Sequence, residues 1–387
     1  MNSLAVRLLS TTTLFLTTCV ASNAMASHYE WIEDTPAAYQ QPDSQRDPVT
    51  IDSLGRLILL TGDGHSNNFT QVRSPEGSWS GELPNTIPWD FVLNELATNP
   101  NTGRAIALGA EPEPDDDNPD TPSTFQVVGY EYIGTNWVRT VYANGAESNI
   151  TAFDFDESGA LHMLYMGFAT GKLQYARHAG GSTTNHPVTS LLGSNYSQLE
   201  IQASSDGTAP VFASAYAPDG FVFAAVSNDD GATWGGTRVI DYGFTGTTYG
   251  IQQFASLMDD AQRVHLFYVI DNSGFLRVRH RVMYEAGGTS TASDLDFGPY
   301  GWHVLLHNGQ PHYVHRAYRD LGGYVLRVDH YSEGSWETQQ PRYGEAYGQC
   351  HGAASFSGYL FVLASENSGD KRLFIGIEAP MFSDGFE

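Results

Sequence analysis

Val49-Thr-Ile-Asp-Ser-Leu-Gly55-Arg-Leu-Ile-Leu-Leu60 joins an alternating segment, a glycine turn and a continuous apolar run. Alternation suits a strand buried on one face, and the apolar run suits a strand covered on both. The unit returns six times. Phe91 to Gly103 precedes Arg-Ala-Ile-Ala-Leu108, and Ile150 to Gly159 precedes Ala-Leu-His-Met-Leu-Tyr165. Leu199 to Gly207 precedes Thr-Ala-Pro-Val-Phe-Ala213, and Gln253 to Ala261 precedes Gln-Arg-Val-His-Leu-Phe-Tyr268. Trp302 to Gly309 and His351 to Gly358 lead into the last two runs, which end at Val314 and Leu363. The turn residues 55, 103, 159, 207, 261, 309 and 358 stand 48, 56, 48, 54, 48 and 49 residues apart.

Each unit continues into a third alternating strand, as at Lys172–Arg177, Phe221–Val226, Phe275–Arg279 and Tyr324–Asp329. Fourth strands start at Trp79, Trp137, Trp234 and Trp336. Four short antiparallel strands in a repeat of ~50 residues are the pattern of a propeller blade. The expected fold is therefore all-β: a single seven-bladed β-propeller with four-stranded antiparallel blades. The seventh unit stops after its third strand, Lys371–Ile377, while Tyr29-Glu-Trp-Ile-Glu33 is left over near the start. That N-terminal strand is expected to close the last blade and remove an exposed edge.

Residues 1–26 read as a secretory signal: Arg7, an apolar stretch from Leu8 to Val20, then Ala24 and Ala26 before the cut. Lipid attachment at Cys19 is disfavoured by Thr18 before it. The division expected is signal peptide 1–26, propeller 27–379 and a C-terminal tail 380–387, in a secreted or periplasmic protein. No segment has the ~20 apolar residues of a membrane span. The mature chain keeps one cysteine, Cys350, so no internal disulfide can form. A net charge of −25 excludes nucleic acid and anionic membrane surfaces as partners. Oligomeric state is not legible.

Ser227-Asn-Asp229-Asp-Gly231-Ala-Thr233-Trp234 resembles the Ser-x-Asp-x-Gly-x-Thr-Trp Asp-box, or BNR repeat, of sialidase-like propellers. That resemblance implies a structural strand 3–4 hairpin at Ser227, Asp229, Gly231, Thr233 and Trp234, on the face opposite the ligand. Sialidases themselves carry an Arg-Ile-Pro motif and six blades, and neither is found here. A looser resemblance, at Asp52-Ser-Leu-Gly55-Arg-Leu-Ile-Leu and Gly62-Asp-Gly-His65-Ser-Asn-Asn68, is to BNR-type propellers that include polysaccharide lyases. Those enzymes carry a second histidine about twenty residues earlier; here that neighbourhood reads Asp43-Ser-Gln-Arg46-Asp-Pro48.

In a propeller the strand 2–3 and 4–1 connections open on one face. Units six, seven and one, neighbours in a closed ring, hold the richest set: His65, Trp302, Arg319, Arg342, Tyr347 and His351. Arginine can hold a carboxylate and aromatic rings can stack on sugars, so Trp302, Arg319, Arg342 and Tyr347 are the substrate-binding candidates. His65, Tyr347 and His351 are the catalytic candidates as base or acid. Capping of loops is the competing role for all of them. His162, His265 and His312 recur at one place on strand two and are expected to be structural. The first reading is an exported propeller that binds glycans or cell-envelope ligands, an acidic saccharide among them. The alternatives are a polysaccharide-lyase-like enzyme using His, Tyr and Arg, and a protein-assembly scaffold. No cofactor or metal is expected. Ca²⁺ at the acidic run Glu111 to Asp120 lacks the spacing of a calcium loop.

Overall fold

The computed structural model describes residues 29–34, 49–62, 68–81, 83–88, 90–113, 124–188, 196–204, 210–217, 220–235, 238–242, 254–272, 275–284, 288–295, 301–318, 324–332, 334–338, 347–366 and 371–378. All of its regular elements are strands, in antiparallel sheets. Strand β1 (Tyr29–Asp34) is followed by a sheet of β2 (Val49–Ile51), β3 (Leu57–Gly62), β4 (Asn68–Arg73) and β5 (Leu83–Pro84). Next come β6 (Val92–Asn99), β7 (Arg104–Pro112), β8 (Phe125–Ile133), β9 (Asn136–Phe155), β10 (Leu161–Gly167), β11 (Lys172–Ala179) and β12 (Ser182–Pro187). The fourth unit holds β13 (Gln198–Ala203), β14 (Val211–Tyr216), β15 (Phe221–Ser227) and β16 (Arg238–Tyr242). The fifth holds β17 (Phe254–Met258), β18 (Val264–Asn272), β19 (Phe275–Met283) and β20 (Ser293–Asp294). The sixth holds β21 (His303–His307), β22 (Gln310–Tyr318), β23 (Tyr324–Ser332) and β24 (Ser335–Thr338). The chain ends with β25 (Tyr347–Phe356), β26 (Tyr359–Glu366) and β27 (Lys371–Glu378).

Units two and three share one seven-stranded sheet, because β9 is both the last strand of one and the first of the other. Separate units were expected there. The bend at Gly145 is held sideways: its amide donates to Glu113 Oε1 at 2.6 Å and its carbonyl accepts from Phe168 N–H at 2.8 Å. Strand β1 adds to the outer edge of the last sheet, in the order β1-β27-β26-β25, with Tyr29 opposite Glu378 and Asp34 opposite Leu373. Trp137 and Trp336 lie within their fourth strands, whereas Trp79 makes only an isolated bridge to Arg73 and Trp234 precedes its strand.

The apolar second strands are buried on both faces because they lie between sheets. Ile58 packs with Leu96 and Val128, and Leu108 with Met163. Leu164 packs with Ile201, and Phe212 with Leu266. Phe267 packs with Tyr313, and Val314 with Leu360. Val49 and Leu59 of the first unit pack on Phe361 and Leu363 of the last. The first strands follow the same order: β2 lies against β6, β9 against β13, β13 against β17, β17 against β21, β21 against β25, and β25 against β2.

The strand 1–2 turns share a carboxylate device. Asp52 Oδ1 accepts from the amides of Leu54 (3.0 Å) and Arg56 (2.9 Å), and Asp259 Oδ1 accepts from Ala261 (3.0 Å) and Arg263 (2.9 Å). Asp156 Oδ1 accepts from Ala160 N–H (2.9 Å) and Ser158 Oγ (2.6 Å). These are Asx-type turns, which need a left-handed residue before strand two. Gly55 and Gly159 supply it; in unit five it is Gln262 (φ 58°), one residue past the expected Ala261.

Neighbouring turns touch. Ser53 N–H donates to Gly103 O at 2.8 Å, Asn101 Nδ2 donates to Gly159 O at 2.7 Å, and a Cβ on Gly309 would meet Asp260 at 2.0 Å. The strand 1–2 turns of these units thus lie side by side. Their 2–3 and 4–1 connections leave from the other end, called the rim below.

Candidate functional site

Units six, seven and one are neighbours, since β21 lies against β25 and β25 against β2. Three rim connections of this sector carry expected site residues. His65 lies between β3 and β4, Arg319 between β22 and β23, and Arg342 between β24 and β25; all three fall outside the described residues. Tyr347 and His351 lie on β25, where only their backbone is described. Tyr347 opens that strand opposite Glu366, and the ladder to β26 breaks register on both sides of Cys350. Cys350 itself is buried and unbridged, and its amide reaches Gly301 O at 3.2 Å. Trp302 is a core residue, 2% exposed, with its ring 6.0 Å from Tyr313 and 6.4 Å from Phe267.

The sixth sheet is rich in buried histidine: His303 at its rim end, His315 in mid-strand, and His307, His312 and His330 toward the strand 1–2 turn. His315 Nε2 donates to Asp329 Oδ2 at 3.0 Å and its ring stacks on Tyr313 at 4.3 Å. Arg327 Nε holds the other oxygen of Asp329 at 2.8 Å and its fork extends to Thr338. Burial pushes Asp329 up, but the His315 hydrogen bond and the charges of His315 and Arg327 outweigh it and hold the carboxyl below its usual range. His307 Nδ1 meets Ser355 Oγ at 2.6 Å, joining the sixth sheet to the seventh. His312 donates to Gln310 O at 2.9 Å, and burial lowers it to about 4. These histidines are too deeply buried to meet a polymer.

The opposite end is also occupied by ordered polar groups. His162 Nε2 donates to Asp156 at 3.1 Å, and its Nδ1 faces Tyr175 Oη at 2.8 Å. His265 Nε2 donates to Asp259 at 3.1 Å, and its Nδ1 faces His280 Nε2 at 2.9 Å, while Trp336 Nε1 donates to His280 Nδ1 at 3.1 Å. Burial lowers His162, His265 and His280. His162 and His265 therefore sit in corresponding Asp–His pairs, whereas the residue six before His312 is Leu306. The aspartate three residues before the turn was overlooked in the sequence, although its spacing is identical at 52, 156 and (from Gly55 and Gly159 alone) recoverable at 259.

The Ser227–Trp234 hairpin lies at this same end. Asp229 accepts from Thr233 N–H (2.7 Å) and Oγ1 (2.5 Å), Ser227 Oγ accepts from Gly231 N–H (2.8 Å), and Trp234 Nε1 donates to Gly231 O (3.0 Å). Its tryptophan meets Tyr175 of the neighbouring unit edge-on at 5.5 Å.

No family model matches the chain, and no curated protein matches its sequence. Solved structures do. The crystal structure of polysaccharide lyase Uly1 covers 94% of this chain and 94% of its own, at 11% identity and a TM-score of 0.53. A PL25 ulvan lyase bound to -[GlcA(1-4)Rha3S]- covers 90% of this chain and 94% of its own, at 10% identity and a TM-score of 0.54. The chain thus shares the fold of these two lyases along nearly its whole length.

Among the described residues no three His, Cys, Asp or Glu side chains are grouped to hold a metal ion, and no helix is long and apolar enough to cross a membrane. Of the acidic run, Glu111 accepts from Tyr130 Oη at 2.6 Å and pairs with Arg139, and Glu113 accepts from Thr124 Oγ1 at 2.5 Å; residues 114–123 fall outside the described ones.

Proposed function

We propose that this chain is an exported, closed seven-bladed propeller of the Asp-box type, and that it cleaves a uronate-containing polysaccharide by β-elimination at its rim. The observation that carries the reading is the likeness to two polysaccharide lyases over nearly the full length of all three chains. It is supported by the seven seams between neighbouring units, the last against the first, and by the seating of β1 on β27. A propeller leaves function to its loops, and the rim of units six, seven and one carries Arg, His and Tyr on adjacent sheets.

In this reading Arg319 or Arg342 pairs with the uronate carboxylate, which makes the adjacent C5 proton more acidic. One of His65, Tyr347 and His351 removes that proton, and another donates a proton to the oxygen leaving C4. The C4–O bond breaks and a C4–C5 double bond conjugated with the carboxylate forms. Incubation of the full chain with ulvan, alginate and polygalacturonate should raise the ultraviolet absorbance of unsaturated uronate on one of them. Alanine at Arg319 or at Arg342, and at two of His65, Tyr347 and His351, should abolish the rise.

A second reading, binding without turnover, is favoured by the missing histidine near Arg46. It predicts retention of one polymer in affinity electrophoresis with no absorbance change. Silence in both assays would overturn both readings.

A further inference from the structure

Among the described residues seven large apolar side chains are exposed. Leu54 and Tyr359 lie at strand 1–2 turns, Ile133 and Tyr284 at strand 3–4 turns, and Val138 and Val141 on the outer part of β9. Only Phe168, 51% exposed, stands at the rim. It opens the short connection between β10 and β11, a place where turn geometry favours Gly, Asn, Asp or Ser and offers phenylalanine nothing.

The mount of this ring is stiff. Phe168 N–H is fixed to Gly145 O, Gly145 N–H to Glu113, and Gly171 N–H returns to Gly167 O at 2.8 Å. Thr170 Oγ1 accepts from Gln174 Nε2 at 2.9 Å. Here β9 runs from unit two into unit three without a 4–1 connection. Asn144, exposed, adjoins Gly145 and accepts from half-buried Gln126 Nε2 at 2.9 Å, an amide pair suited to hydroxyl groups. A pre-ordered aromatic face on the same rim as a polar amide pair is what an extended sugar chain needs in order to lie across it.

We propose that Phe168 is a stacking platform for a pyranose ring of the polysaccharide, remote from the bond that is cleaved. The inference rests on the function proposed above and adds to it a second subsite, on units two and three. Stacking of the C–H face of a sugar is not ionic, so its contribution should survive salt that screens the arginine contacts.

The test uses Phe168→Ala and Phe168→Trp in the full chain, with ulvan, alginate and polygalacturonate as probes. Phe168→Ala should raise KM on the polymer roughly five- to tenfold, at unchanged kcat. Phe168→Trp should restore the wild-type value. The defect should persist in high salt and vanish on the shortest oligosaccharide that is still cut. Where the polymer is retained but uncut, retention in affinity electrophoresis replaces KM. A wild-type chain that acts on a polymer while Phe168→Ala behaves identically overturns this inference alone. A wild-type chain that neither cuts nor retains any of the three overturns it together with the function.

Discussion

Replacement of His280 by phenylalanine tests the chain that ties the fifth sheet to the sixth. Asp259 is an acceptor, so His265 carries its proton on Nε2 and presents a bare Nδ1, which takes the Nε2–H of His280; His280 Nδ1 in turn takes Trp336 Nε1–H. Every position is filled, and a further proton on either ring would set two donors against each other. Phenylalanine keeps the ring among Phe267, Tyr331 and Trp336. It orphans His265 Nδ1 and Trp336 Nε1–H, and about 1–3 kcal/mol for each gives a cost of ~3 kcal/mol at neutral pH. Acid should erase that cost. Burial, with the neighbouring His265 charge next, holds His280 neutral in the fold well below its ordinary value of 6.5. The unfolded chain therefore binds a proton that the fold refuses, and wild-type stability falls by about 1.4 kcal/mol for each pH unit below 6.5. The variant lacks this penalty. The gap should therefore shrink from ~3 kcal/mol as the pH falls below 6.5. Other titrations, among them that of Asp154, raised by burial to about 7, are common to both chains and cancel. Urea midpoints followed by tryptophan fluorescence at several pH values measure the gap. A gap that stays constant from neutral pH to 4.5 would refute the reasoning.

Two further outcomes follow from the packing. Removal of residues up to Asp34 strips β1 from β27 and bares an edge, so the melting temperature should drop sharply; a truncated chain that melts like the full one would show that this strand does not bind the ends together. Gly231→Ala puts a Cβ 2.0 Å from the Tyr175 ring at a φ of +81°, which should destabilise by about 3 kcal/mol or more, read by thermal melting. A shift under 1 kcal/mol would mean the hairpin is not held against the third unit.

The repeat was legible because each unit buries its second strand on both faces and must turn sharply before it. These are two local demands, and both are written in composition. The run-through of β9 was not legible. Asn144-Gly145 is a turn signal, and only hydrogen bonds from Glu113 and Phe168, distant in sequence, let the strand continue. Gln262 shows the reverse case, where the turn aspartate dictates a left-handed residue that is not glycine. Trp302 illustrates the limit at the site. A tryptophan at a loop end satisfies a sugar platform and a core plug equally well in sequence, and its neighbours Phe267 and Tyr313 decide for the core. Phe168 went unremarked because a lone phenylalanine carries no pattern; its exposure is what distinguishes it.

The two ends of the sheets differ in a way that bears on where chemistry can be. At one end the same parts recur: an aspartate that closes the turn at 52, 156 and 259, an Asp–His pair in two of those units, and contacts from turn to turn. Repetition there serves equal seams, and a change in one unit is a change in stability. At the rim the described parts differ: β9 runs from unit two into unit three without a 4–1 connection, and unit two carries the acidic run beyond Glu113. A site that takes one substrate in one orientation has to break the symmetry of the repeat. In the function proposed above the variable end is the one that does so, with the candidate residues of units six, seven and one and Phe168 of unit three assigned to it.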